Sequence, residues 1–267
     1  MNRYFALFKM RLIAGMQYRA AAWAGISTQF FFGFVFIMVY IAFYQNATVQ
    51  PAMTLSQTVS YMWLKQAFLA IIALWVVDGD LLNQIKSGHI AYELCRPYHM
   101  FTFWYVRLLA NRLSNVALRF LPILVISLLL PHPYKMMLPP NIGAGLLFLL
   151  SLSLATLLIV AISMFIYIIT FLTMSQVSAR TLIGVPAEFL SGALIPIPLM
   201  PQVLQDILKF LPFAYITDLP FRIYSGNIVQ TDALFGIFIQ ILWIIVMIGF
   251  GAWSFKRIMG KIIIQGG

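Results

Sequence analysis

The chain has 267 residues, 62% of them hydrophobic and only 9% charged, and its formal net charge is +10. With a mean hydropathy of +0.93, it has too little charged surface for a soluble globule of this length, so it reads as an integral membrane protein. The basic residues lie scattered at the ends of apolar runs, which makes the charge a statement of topology rather than the footprint of a nucleic-acid partner.

Asn2 to Arg19 interleaves Tyr4, Phe5, Leu7, Phe8, Leu12 and Ile13 with Arg3, Lys9, Arg11 and Arg19. That pattern predicts an interfacial helix over residues 1–19, or a plain basic leader to the first span, and both place the N-terminus in the cytosol. No small-residue cleavage site follows, so no removed signal peptide is expected. Residues 20–44 form a charge-free run long enough for the roughly 20 residues a bilayer requires. Ala21 and Gly25 within it form a small-xxx-small pair that would admit a second helix. A polar loop leads to a second span over 59–77, in which Lys65 is expected to snorkel to the outer interface.

Residues 78–107, DGDLLNQIKSGHIAYELCRPYHMFTFWYVR, must lie in water. Asp80 is read as an N-cap, Leu81, Leu82 and Ile85 as one apolar face, and Gly88 as the stop. A second short helix over 90–95 ends at Arg96-Pro97, because the residue before proline leaves the helical region. A capped amphipathic element of this kind suits docking against a partner, or lying on the membrane surface. Cys95, the only cysteine, excludes an internal disulfide or a cysteine metal site and fits a reducing compartment.

Phe101, Phe103, Trp104 and Tyr105 read as an aromatic belt, with Arg107 and Arg112 marking the cytosolic end of a third span over 113–130. Arg119 is costly there unless it pairs with an acid or faces water. Residues 142–173 are the longest uncharged run. Thr156, Ser163 and Thr170 recur in it every seventh residue, which puts three hydroxyls on one face for helix packing or for a substrate path.

Residues 182–195 are short for a span and contain Pro186 and Glu188, then run through Ser191, Gly192, Pro196, Pro198 and Pro201 into an amphipathic piece over 202–211. Short, proline-interrupted apolar segments mark substrate sites, so Glu188 is placed beside a water-filled cavity or hydrogen-bonded within a hairpin. A last span over 234–255 ends in Lys256, Arg257 and Lys261. The simplest solution is an all-α membrane protein of one domain, residues 1–267, with six crossings and both termini in the cytosol.

Enzyme signatures are missing: the sequence has no GxSxG, no HExxH and no metal-ligand spacing of His89, His99 and His132. No GxxxxGK[ST] phosphate loop occurs either, so energy from ATP would have to come through a partner.

The loop IKSGHIAYELCRPY after the second span, followed later by FLSGALIPIPLMPQVLQDILKFLPFAY, resembles the permease subunit of type-2 ABC exporters. Gly88, Leu94, Arg96 and Pro97 fit that family's glycine-containing loop ending in Leu-x-Arg-Pro, Ser191, Gly192 and Pro196 fit its Ser-Gly-x-x-x-Pro turn, and Pro212 and Phe213 fit a later Pro-Phe. The resemblance implies a permease in a bacterial plasma membrane, paired with a second copy or a related permease on two cytosolic ATPase subunits that bind ATP and Mg. It makes residues 80–97 a coupling helix, with Asp80, Leu81, Leu82, Ile85, Gly88, Leu94, Arg96 and Pro97 transmitting ATPase motion. It makes 191–211, within the segment 182–222, a re-entrant outer hairpin that helps close an external gate. Glu188, Ser191, Gly192 and Pro196, with Thr156, Ser163 and Thr170, are the candidate gate or path residues. The chain itself is not expected to be an enzyme or to bind a metal or cofactor. The alternative is an ion- or proton-coupled secondary transporter in which Glu188, Lys65 and Arg119 form an intramembrane relay.

Overall fold

The computed structural model describes residues 3–17, 19–94 and 96–260, apart from the side chains of Arg19, Ala21, Ala91 and Leu94. Expectations that fall on Asn2, Cys95, Lys261 and the side chains of Ala21 and Leu94 lie outside the described residues. Within them the chain is all-helical, with no strand.

Helix α1 (Arg3–Gly15) precedes α2 (Arg19–Gln45), then α3 (Leu55–Ala67) and the single turn α4 (Leu69–Ile72). The short pair α5 (Gly79–Lys86) and α6 (Ile90–Leu94) leads to α7 (Met100–Ala117), α8 (Phe120–Leu129) and the long α9 (Ile142–Thr173). Next come α10 (Gln176–Leu190), α11 (Gln202–Leu208), α12 (Asp218–Tyr224) and α13 (Gln230–Met259). Four stretches are long and apolar enough to cross a membrane: 22–45, the α7–α8 pair over 100–129, α9 and α13. The protein is therefore membrane-embedded, and the predicted runs over 20–44, 142–173 and 234–255 coincide with α2, α9 and α13 within a few residues.

The other two predicted spans differ in form. Residues 59–77 do not make one helix: α3 stops at Phe68, α4 adds a turn, and the backbone from Ala73 to Val77 is not helical. This stretch is the centre of the protein, since every residue from Thr58 to Ala67 is buried. Residues 182–190 belong to α10, which starts earlier at Gln176 and ends at Leu190 with Pro186 inside it, and 191–195 form a turn after it. The third span also starts earlier than predicted. Phe101, Phe103, Trp104 and Tyr105 are inside α7, and Arg107 and Arg112 are buried rather than marking a surface.

Packing is centred on α9, which touches α13, α12, α10 and α7, while α1 lies along α7 and α2 along α3. Leu7 is the one buried residue of α1, and Phe5, Met10 and Ile13 are exposed. Gly25 of α2 meets Arg119, the residue at the start of α8. A Cβ there would lie 2.7 Å from the Arg119 guanidinium, so the missing side chain makes room for an arginine.

Candidate functional site

The 78–107 segment is built from its backbone groups outward. Asp78, not Asp80, is the N-cap of α5: its Oδ1 accepts from Leu81 N at 3.1 Å. Asp80 stands in the first turn with its side chain exposed, because the helix starts two residues earlier than the apolar pattern suggests. The α5 helix closes at Ser87, and Gly88 follows with φ +73, a left-handed conformation suited to a residue without Cβ.

The Asp78 carboxylate is saturated. Arg107 of α7 binds it in bidentate fashion, Nε to Oδ2 at 2.6 Å and Nη2 to Oδ1 at 2.8 Å, and Asn111 Nδ2 donates to Oδ2 at 2.9 Å. The Asp78 amide donates to Tyr167 Oη on α9 at 2.8 Å. Both charged side chains of the pair are about 95% enclosed, at 4% and 5% exposure. One turn further along α7, Arg112 donates to the carbonyls of Ile71 at 2.6 Å, Ala73 at 2.9 Å and Val76 at 3.1 Å, and to Ser163 Oγ at 2.9 Å. Those carbonyls are the ones left without helical partners where α4 ends, so a buried guanidinium replaces the missing backbone bonds. Trp104 Nε1 donates to Glu93 Oε2 at 2.9 Å, which fixes α6 to the same helix.

Leu81, Leu82 and Ile85 face inward, at 0%, 0% and 2% exposure. The predicted apolar face is real, but it packs on the protein's own core, so these three leucine and isoleucine side chains hold the element in place and cannot themselves contact a partner. The exposed face carries Asp80, Asn83, Lys86, His89, Tyr92, Arg96 and Pro97, with Tyr92 at 73% exposure. Pro97 also accepts a hydrogen bond from Arg3 Nη1, and His99 N donates to Tyr4 Oη at 3.3 Å, which joins α1 to the end of the loop.

The opposite end has its own polar junction. After α10, Ser191 caps the helix and Gly192 takes φ +79, where a Cβ would come within 2.9 Å of Tyr61 Oη. Tyr61, fully buried on α3, donates to Gly192 O at 2.9 Å. Asp218 Oδ1, at the start of α12, accepts from Ile197 N at 3.1 Å, and its Oδ2 accepts from Arg222 at 3.3 Å. Pro196 leads into a 3-10 turn over Ile197–Leu199, and Ile197, Met200 and Leu208 form a small core separate from the main one. Gln240 of α13 donates to Ser151 O at 2.9 Å and to Tyr215 O at 2.8 Å, which ties the 3-10 turn Pro212–Tyr215 to α9.

The remaining predicted site residues are not brought together. Thr156, Ser163 and Thr170 are buried and each donates to the carbonyl four residues back; Ser163 also joins the Arg112 junction, and Thr156 borders a cavity of about 580 Å³ beside Phe8, Leu109 and Leu152. Lys65 does not snorkel. It is 3% exposed, with Nζ 3.9 Å from the Phe36 ring centroid, because the whole of α3 is enclosed. Glu188 is half-buried on α10, near enough to act electrostatically on Lys65, but the two make no ion pair. Arg107, Arg112, Asp78, Tyr61, Asp218 and Gln240 were missed as site residues. For Asp78, the signal was a second aspartate two residues before Asp80.

No group of His, Cys, Asp and Glu among the described residues could hold a metal. Comparison with family models, with characterised proteins and with solved structures finds no match.

Proposed function

We propose that the chain is the membrane permease of an ATP-driven exporter, moving a substrate out of the cytosol with energy from separate ATPase subunits that hold ATP and Mg. The observation that carries this reading is the α5–α6 element: a short, capped helix pair hung from α7 by a buried ion pair and presenting a polar face to solution. Such an element receives a push at Asp80, Asn83, Lys86 and Tyr92 and passes it to α7 and α9 through Asp78, Arg107 and Tyr167. Leu81, Leu82 and Ile85 make the transfer stiff. Coupling then requires a partner whose contacts with this face differ between nucleotide states.

In this reading α2, the broken α3–α4, α7–α8, α9, α10 and α13 are six crossings with both termini cytosolic. Residues 191–211 form the outward hairpin beside Gly192 and Pro196. A dip of the following segment into the bilayer is supported by Gln240, which lies about 15 Å along α13 from its start by the helical rise and still bonds Tyr215 O. The exposed apolar residues Trp23, Phe31, Val35, Leu182 and Val185 on α2 and α10 suit lipid or a second permease copy. The membrane is a bacterial plasma membrane by the resemblance alone.

The test is affinity purification of the tagged protein from native membranes, with mass spectrometry of what is retained. Wild type should retain an ATPase that Lys86→Glu and Tyr92→Glu variants lose while remaining monodisperse. Retention of no ATPase, or equal retention by the variants, contradicts the reading. Transport driven by a pH or ion gradient without an ATPase would favour ion coupling through the enclosed Lys65 and its neighbour Glu188.

A further inference from the structure

A cavity of about 470 Å³ lies between α1, α2 and α7, lined by Arg11, Ala14, Gly15, Asn111, Asn115 and Arg119 among others. Its electrostatics are unbalanced. Asp78 reaches it, but that carboxylate is already consumed by Arg107, Asn111 and its own cap, and Arg112 is consumed by backbone carbonyls. The guanidinium groups of Arg11 and Arg119 have no hydrogen bond or ion pair to any described residue, and the Arg11 Nε is buried without a partner. Two unpaired guanidinium groups thus face one partly enclosed space, at a cost that water alone offsets poorly for a buried N–H donor.

From this geometry we infer that the cavity binds the phosphate of an anionic phospholipid headgroup, with Arg11 and Arg119 as its ligands. The planar guanidinium fork matches phosphate oxygens and makes short, charge-assisted bonds to them. A lipid rather than a free phosphate is favoured by the residues next to the lining in sequence. Met10, Ile13 and Met16 adjoin Arg11, Ala14 and Gly15, Trp23 follows Ala22, and all four are exposed and apolar, so acyl chains lying along α1 and α2 would cover surface that a free phosphate would leave bare. Gly25 gives the Arg119 guanidinium its room, since a Cβ there would lie 2.7 Å from it. This inference does not depend on the transport reading.

Native mass spectrometry of the purified full chain, titrated with phosphatidylglycerol, phosphatidylcholine or inorganic phosphate, tests it. One phosphatidylglycerol per chain should bind about tenfold or more tightly than phosphatidylcholine, a difference near 1.4 kcal/mol. The Arg11→Gln/Arg119→Gln double variant should lose that preference, the Arg11→Lys/Arg119→Lys variant should keep most of it, and Lys9→Gln, which changes an exposed base of the same helix, should leave it unchanged. Equal binding of the two lipids by wild type or an undiminished preference in the double glutamine variant overturns the inference. So does displacement of the lipid by inorganic phosphate at matching concentration, which would make the site one for a soluble anion. If the glutamine variant does not fold, the lysine variant decides, because loss of the preference with charge retained also overturns it.

Discussion

Both ends of the bundle anchor irregular backbone with a few buried polar groups, yet they do so with different chemistry. At the α5–α6 end two arginines from one helix, Arg107 and Arg112, bind a capping carboxylate and a set of orphan carbonyls. The long helices α7 and α9 and the short element are therefore one body. At the hairpin end a tyrosine, a glutamine and one aspartate hold the chain at isolated points, and the segment between them has its own small core. One end is thus tied to the long helices by multidentate charged junctions, the other by single hydrogen bonds.

The comparison is broken most severely at Arg112. Replacing it with Met takes the guanidinium donors from the carbonyls of Ala70, Ile71, Ala73 and Val76, at about 1–3 kcal/mol for each buried group left unsatisfied, Ala73 O alone keeping a backbone donor in Val76 N. The folded yield in detergent should collapse, with Arg112→Lys recovering part of it. An Arg112→Met protein of wild-type thermal stability would remove the junction from the account.

Second in size is the pair Asp78 and Arg107. Either Asp78→Ala or Arg107→Leu strands a buried charge and should cost about 3–5 kcal/mol, whereas the double replacement should cost clearly less than the sum. Additive costs in a chemical-denaturation cycle would mean that the two do not act together.

Two glycines sharpen the comparison at smaller scale. Gly88→Ala and Gly192→Ala both place a side chain at positive φ, for about 1–2 kcal/mol. Only Gly192 also lacks room, since its added Cβ would meet Tyr61 Oη at 2.9 Å while nothing lies within 4 Å of Gly88. Gly192→Ala should therefore lower the thermal midpoint more than Gly88→Ala. The reverse order would mean that the close approach of Gly192 to Tyr61 does not constrain the hairpin turn.

The smallest effect is at the exposed hairpin surface. The Lys209 ammonium, 2.8 Å from Asp206, holds that carboxyl below its ordinary value of 3.8. A depressed folded value adds stability above the unfolded value, and that stability is lost as pH falls through the folded one. Because the pair is exposed, Lys209→Met should move the Asp206 titration seen by carbon NMR upward while leaving the thermal midpoint at pH 7 unchanged.

The long apolar runs were legible because a bilayer requires length and the absence of charge, and α2, α9 and α13 meet both conditions. The amphipathic pattern of Leu81, Leu82 and Ile85 and the stop at Gly88 were legible too. Which side that apolar face packs against was not, since periodicity shows that a face exists but not what covers it. The end of the helical path at Ile72 was hidden because the group that satisfies its carbonyls is Arg112, about forty residues away in sequence, and an arginine near an apolar run reads as a span boundary. Lys65 was misplaced for a related reason: its exposure depends on how α3 is enclosed by neighbours, which hydropathy does not record.

The claim that the α5–α6 element and α9 form one body, while the hairpin does not, is tested most directly by pulsed electron paramagnetic resonance distances. Spin labels would be placed at the exposed pairs Tyr92 with Leu150 and Phe210 with Leu172, each reporting one end against α9, after replacement of Cys95 by Ser. The expected result is a narrow distribution for the first pair, broadened by Arg107→Leu, and a broader one for the second. A first pair as broad as the second, or unaffected by Arg107→Leu, would contradict the account.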